Sequence, residues 1–310
     1  MLALRPKADR APPGTPTDSP NFCFSDTLKK HLLSALARSA NIFSVISYTY
    51  MVHITAISSF TDNYIWQIRE SEGRVVAIVD PGDADPVLSI LEQKGTTPTA
   101  IFLTHHHTDH VGGVAGLTAY YPNIQVFGPA KEQIPTTTHL VGEGKIIGIP
   151  GTRLRFKVLD IPGHTKGHVA YYGYGALFCG DTVFSVGCGR LFEGTPKEMH
   201  GSLQKISALP TETLIYCAHE YTLDNIRFAK WIEPKNFDLE KREQQAFKQI
   251  DSDLPTVPST LAEELATNPF LRCEIPAVIK AAEDHAGRKL ANPVDVFSTI
   301  RRWKDNHRHD

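Results

Sequence analysis

The sequence is poor in cysteine. Five cysteines, at positions 23, 179, 188, 217 and 273, are scattered along 310 residues. They are too few, and odd in number, for a disulfide framework. No C-x-x-C pair offers a thiolate zinc site, so a reducing compartment is the default. An excess of charge is lacking too: the formal net charge is −2, which argues against a strongly basic nucleic-acid surface. Whole-chain disorder is excluded by 41% hydrophobic and 21% charged residues. One stretch, residues 39–61, has no Asp, Glu, Lys or Arg and is long enough to span a bilayer. Asn41, His53 and several Ser and Thr interrupt it, and its second half reads as a strand, so a membrane span is rejected. Methionine is scarce as well. There are three, and Met51 stands immediately before the first strand-like pattern.

What is present divides the chain into three. Residues 1–50 read as a poorly ordered extension, rich in Pro, Asp, Thr and Ser at 6–20. A short basic amphipathic helix is expected at 26–39. The extension is read as a dispensable tail or as an over-called start with Met51 the true initiator. Organelle targeting is the other account, and Asp9, Asp18 and Asp26 fit it poorly. Residues 51–222 alternate short apolar runs with turns: strands are expected at 52–57, 63–68, 74–80, 99–104, 124–128, 145–149, 153–160, 168–174, 176–180 and 213–217, with a helix at 84–94. That interleaving indicates a layered α/β domain. Residues 223–310 are helical in pattern, at 222–233, 237–250 and 294–306, and Thr260 with Glu263 forms a capping box for another helix.

Histidine is the residue in surplus. Four of the 14 fall between positions 105 and 110, as H-x-H-x-D-H at the end of an apolar strand. Residues i and i+2 of an extended segment point the same way. His105 and His107 can therefore share one metal, while His106 points elsewhere. Asp109 and His110 follow as the chain turns into a helix, where they can address a second point nearby. Neutral imidazole with carboxylate suits zinc, iron or manganese. Three further segments end apolar runs: 162–168 with His164 and His168, 178–182 with Asp181, and 215–221 with His219. Each is weak alone. Together they supply the ligands, and the bridging carboxylate, that two metals with open positions need.

The wording of these segments resembles the metallo-β-lactamase superfamily and, more narrowly, the glyoxalase II (hydroxyacylglutathione hydrolase) family. FTDNYIW (60–66), THHHTDHVGG (104–113), GHTKGH (163–168), GDTVFSVGCGRLFEGT (180–195), CAHEYTLDN (217–225) and NPFLR (268–272) carry the likeness. It extends over the chain after Met51. The resemblance implies an α/β fold, a four-layer αβ/βα sandwich, followed by a small helical domain that covers the substrate. It assigns His105, His107 and His164 to one divalent metal and Asp109, His110 and His219 to a second, with Asp181 bridging. Zinc is the first choice for both metals, with iron or manganese as alternatives. Asp80 matches a position that supports the ligand loop from behind, and His168 is taken as structural.

The implied reaction is hydrolysis of S-D-lactoylglutathione and similar 2-hydroxyacylglutathiones to glutathione and D-lactate, the second step of methylglyoxal detoxification. Two metals lower the pKa of a shared water, and the resulting hydroxide attacks the polarised thioester carbonyl. Asp109 and Asp181 are the catalytic carboxylates of this scheme. The leaving thiolate, of ordinary pKa about 8.5, needs no strong acid. Arg301 and Lys304 lie i, i+3 on the last helix. With Arg190 and Tyr221 they match the family's glutathione-binding positions. Phe192 stands where some members place a glutathione-contacting Tyr. The expected protein is a cytoplasmic monomer that binds neither nucleic acid nor membrane. A persulfide dioxygenase or a lactonase of the same fold is the alternative. A β-lactamase commonly places Cys at the position of Asp181, and a closed structural zinc site has no use for seven ligands.

Overall fold

In the computed structural model of the chain, residues 52–71 and 73–306 are described. The extension, including the helix expected at 26–39, lies outside them. Two six-stranded sheets form the body. The first has the order β1-β2-β3-β4-β5-β6: Val52–Ser59, Asn63–Glu70, Val75–Val79, Thr97–Phe102, Gln125–Pro129 and His139–Val141. The second runs β14-β13-β10-β9-β8-β7: Ser259–Thr260, Leu214–Cys217, Ala176–Gly180, Val169–Gly173, Arg155–Asp160 and Ile146–Gly148. A two-stranded ribbon, β11 (Val183–Phe184) and β12 (Gly187–Cys188), stands apart.

The period of two in β3 explains the layering. Ala77 and Val79 join the core between the sheets, whereas Val76 and Ile78 face the outer helices. Those helices are α1 (Asp85–Lys94), α2 (Thr108–Val111) and α3 (Val114–Tyr120), of which α1 and α3 bury Val87, Leu91, Val114 and Leu117. Between the sheets, Phe102 stacks on Tyr171 at 4.9 Å and meets Phe156 edge-on at 5.6 Å. Helix α4 (Pro196–Ser207) lies on the second sheet and buries Met199, Leu203 and Ile206, completing a four-layer αβ/βα sandwich. Five helices follow: α5 (Thr222–Ile232), α6 (Phe237–Ile250), α7 (Leu261–Thr267), α8 (Pro276–Ala286) and α9 (Pro293–Asn306). Helix α9 buries Val296, Phe297 and Ile300.

Strand β4 stops two residues short of the expected end. Asp80 captures the departing backbone: its Oδ1 accepts Thr104 N–H at 2.8 Å. Several elements were not anticipated: β6, β11, β12, β14, α4 and α8. Helix α4 did carry a signal, since Thr195 and Glu198 form a capping box with a proline in the first turn. Helix α8 likewise begins with proline and ends at left-handed Gly287. No helix among the described residues is long and apolar enough to cross a membrane.

Candidate metal centre

The histidines and carboxylates singled out in the sequence meet at one edge of the sandwich, on the loops leaving β3, β4, β8, β10 and β13. His105 Nε2 and His164 Nε2 each lie 3.0 Å from His107 Nδ1. A second group, Asp109, His110 and His219, has one ligand atom from each residue within 4.8 Å of the others. Asp181 spans the two. Its Oδ2 is 3.4 Å from His164 Nε2, and its Oδ1 is 3.3 Å from His110 Nε2 and 3.5 Å from His219 Nε2.

The far nitrogen of four of the five imidazoles is held by the protein. His105 Nδ1 contacts Thr104 Oγ1 at 3.0 Å, and His164 Nδ1 donates to Arg190 O at 2.8 Å. His110 Nδ1 meets Asp80 Oδ2 at 3.0 Å, and His219 Nδ1 meets Asp62 Oδ1 at 2.8 Å. Such partners fix ring orientation and leave the other nitrogen's lone pair facing inward. Asp80 also accepts Thr104 Oγ1–H at 2.7 Å, from a left-handed backbone at φ 50°. His106 turns away to Glu132 at 2.8 Å. His168, fully buried, accepts Asp181 N–H at 3.2 Å and thereby holds the loop that carries this carboxylate. Two glycines allow the close approach. A Cβ on Gly189 would overlap Asp181 O, and one on Gly82 would overlap Asp109 O.

Electrostatics divide the cluster. Burial, reinforced by neighbouring imidazoles, lowers the pKa of His105; burial likewise lowers His107 and His164, so these three are neutral donors. Burial opposes charge on His110 as well, but Asp181, Asp80 and Asp109 outweigh it and raise its pKa to about 9. His219 is raised for the same reason, against burial and by Asp181 and Asp62. Burial works against the Asp181 carboxylate too, yet His110, His219 and His164 hold its pKa far below the usual range. This half of the cluster therefore attracts positive charge.

The donor set fits a divalent cation on two observations. Tetrahedral zinc with Zn–N bonds of about 2.0–2.1 Å places its ligand nitrogens about 3.3 Å apart, close to the 3.0 Å separations found. In addition, His110 Nε2 and Asp181 Oδ1 are buried without a hydrogen-bond partner, though 3.3 Å apart. With Nδ1–H given to Asp80, a neutral His110 presents its Nε2 lone pair to the Asp181 carboxylate, and a shared cation satisfies both atoms where otherwise a proton must.

A cavity of about 370 Å³ opens beside the cluster, from His164 and Asp181 to Arg301 and Lys304. Phe192 is exposed at its rim and packs edge-on to His107 and His164 at 5.5 and 5.2 Å. Tyr221 lies parallel to the His219 ring at 4.9 Å. Arg190, largely exposed, also lines the cavity. Arg301, expected among the glutathione-binding positions, lines this cavity and is almost fully buried. It donates Nη1–H to Cys188 O at 2.7 Å and pairs through Nη2 with Asp305 at 3.0 Å, while its Nε has no partner among the described residues. Burial and the adjacent Arg301 lower the pKa of Lys304 to about 8. Its ammonium contacts Asn225 Oδ1.

Comparison with known proteins identifies the family. Residues 62–219 match the metallo-beta-lactamase superfamily, and residues 220–307 match the hydroxyacylglutathione hydrolase C-terminus. The hydroxyacylglutathione hydrolase of Nitrosomonas eutropha is 51% identical over 256 residues, 83% of this chain and 99% of its own. That of Xanthomonas campestris pv. campestris is 49% identical over 257 residues, 83% of this chain and 100% of its own. This chain belongs to the hydroxyacylglutathione hydrolase family. Among solved structures, the BLEG-1 B3 metallo-beta-lactamase aligns with 71% of the chain and 99% of its own at 24% identity and a TM-score of 0.53. ETHE1 from Myxococcus xanthus aligns with 81% and 98% at 21% identity and the same TM-score. At these identities the likeness is one of fold. The family's metallo-β-lactamase fold and the His/Asp clusters together make the chain a divalent-metal protein.

Sequence reasoning had given no role to Asp62, Asn63 or Thr104. Each holds a cluster residue: Asp62 binds His219, Asn63 Nδ2 donates to Asp109 Oδ2 at 3.1 Å, and Thr104 contacts His105. The signal was available in the polar tip of the β1–β2 hairpin, T-D-N, between two apolar strands.

Proposed function

We propose that this hydroxyacylglutathione hydrolase hydrolyses S-D-lactoylglutathione and related 2-hydroxyacylglutathiones, with two divalent metals, zinc by preference, in the cluster. The observation that carries the reading is the Asp181 carboxylate lying between two sets of inward-facing imidazole nitrogens, at the mouth of a cavity furnished with cations. His105, His107 and His164 would hold one metal, Asp109, His110 and His219 the other, and Asp181 both. When bound, such metals supply water of near-neutral pKa and stabilise negative charge on the thioester carbonyl oxygen.

The chain's own residues do the rest. Arg301, Lys304 and Arg190 hold the two carboxylates of glutathione, and the Tyr221 ring lines the path of its cysteinyl arm. Asp109, its Oδ2 fixed by Asn63, orients the attacking water. That water adds to the acyl carbon, the C–S bond breaks, and the electron pair leaves on sulfur. A thiolate of ordinary pKa about 8.5 departs without a general acid. The acid formed ionises and releases a proton. In this reading residues 51–222 carry the chemistry and residues 223–310 cover the substrate.

The test is hydrolysis of S-D-lactoylglutathione by purified protein, followed as loss of thioester absorbance, before and after chelation. Turnover that chelation abolishes and added metal restores is expected. Metal-replete protein that leaves the thioester intact would overturn the reading.

A further inference from the structure

A second opening lies on the side of the cluster that Asp109 walls. It is an open cleft of about 470 Å³ lined by Phe60, Thr61, Asp62, Asn63, Thr108 and Asp109. The glutathione-sized cavity ends at His164 and Asp181, so the two openings flank the same carboxylates and imidazoles. A thioester whose carbonyl sits at the cluster, with its peptide in the first cavity, has to send its acyl group elsewhere.

The cleft wall is built to stay in place. Its floor residue Asp62 accepts Glu220 N–H at 2.9 Å through its carbonyl and holds His219 through Oδ1. The next residue but one, Tyr64, donates its N–H to Ala218 O at 2.7 Å. The hairpin tip is thus bonded on both sides of His219. At that tip Phe60 adopts φ 51°, a left-handed conformation that a bulky residue takes only under constraint. Its ring edge packs so closely over Gly82 that a Cβ there would meet it at 2.9 Å. The ring remains 61% exposed, an apolar face beside otherwise polar walls.

We propose that this cleft is the acyl subsite, in which Phe60 packs the apolar tail of the acyl group and so sets acyl preference in favour of larger, including aryl, 2-hydroxyacyl groups. The proposal rests on the glutathione-thioester reading above. A ring contact of this kind is worth about 0.5–1.5 kcal/mol, up to about tenfold in affinity.

The experiment compares wild type, Phe60→Ala and Thr61→Trp, each checked for native circular dichroism and bound metal. Binding of two non-hydrolysable thioethers, S-methylglutathione and S-benzylglutathione, is measured by calorimetry. In wild type the benzyl compound binds more tightly. Phe60→Ala is expected to remove about tenfold of the benzyl affinity and leave the methyl compound unchanged. Thr61→Trp is expected to narrow the cleft and penalise the benzyl compound alone. In turnover, kcat/KM for S-D-mandeloylglutathione should fall several-fold more than that for S-D-lactoylglutathione in both variants. Equal changes for large and small groups, or none, would overturn the subsite. Failure of wild type to bind either thioether would instead overturn the glutathione reading.

Discussion

Lys304 ties substrate binding to pH. Burial, with the adjacent Arg301, lowers its pKa to about 8, against an ordinary value of about 10.4. The depressed pKa means that the ammonium is fully present only well below pH 8 and is lost as pH rises through it. If only the charged form grips a glutathione carboxylate, the competent fraction falls from about 0.76 at pH 7.5 to about 0.09 at pH 9, an eightfold drop in kcat/KM on this basis. The other titratable groups facing the cavity do not produce such a limb, because Tyr221 and Cys188 are both pushed up by burial. The assay is kcat/KM for S-D-lactoylglutathione from pH 6.5 to 9.5, with the spontaneous rate subtracted. Lys304→Met should lower kcat/KM at pH 7 and flatten the alkaline fall. The same substitution removes an ammonium that folding disfavours by at most about 3 kcal/mol. Thermal stability at pH 7 should therefore hold or rise while substrate binding weakens. An alkaline limb of unchanged position and depth in the Met variant would refute this assignment.

Arg301→Ala should raise KM about 10- to 100-fold, the worth of a charge-assisted hydrogen bond of about 1.5–3 kcal/mol, with kcat changed only a few-fold; an unchanged KM would remove Arg301 from the substrate site. Asp80→Asn preserves shape but cannot accept from the Thr104 backbone N–H and from His110 together, so metal affinity by competitive chelation should fall about 10- to 100-fold with the fold retained. Gly189→Ala forces a methyl group onto the backbone of Asp181, and should cost about 1–3 kcal/mol in denaturant titration together with much of kcat. Removing metal should lower the midpoint of thermal unfolding, since a ligand present at a thousand times its Kd stabilises by about 4 kcal/mol; an identical midpoint would mean the cluster folds without help from a cation.

The strands and the long helices were legible because period-two and period-3.6 patterns are local. The cluster was legible for a related reason: each of its residues ends an apolar run, and strand ends converge at one sheet edge in a layered α/β fold. Three kinds of feature escaped. Short pairings such as β6 and β14, of three and two residues, have too little sequence to show a period. The burial of Arg301 is a tertiary outcome. On its own helix the residue looks solvated, and only the ribbon carbonyl of Cys188 and the carboxylate of Asp305 explain why it is stable inside. Asp62 escaped because a polar hairpin tip is ordinary, and its partner His219 is far away in sequence.

The most direct test of the account is to titrate chelated protein with Zn²⁺ while following bound metal and turnover of S-D-lactoylglutathione in the same samples. Activity should rise with occupancy and saturate at two ions per chain, with Asp181→Ala losing both binding and turnover. Full activity with one ion bound, or no turnover with both sites filled, would contradict it.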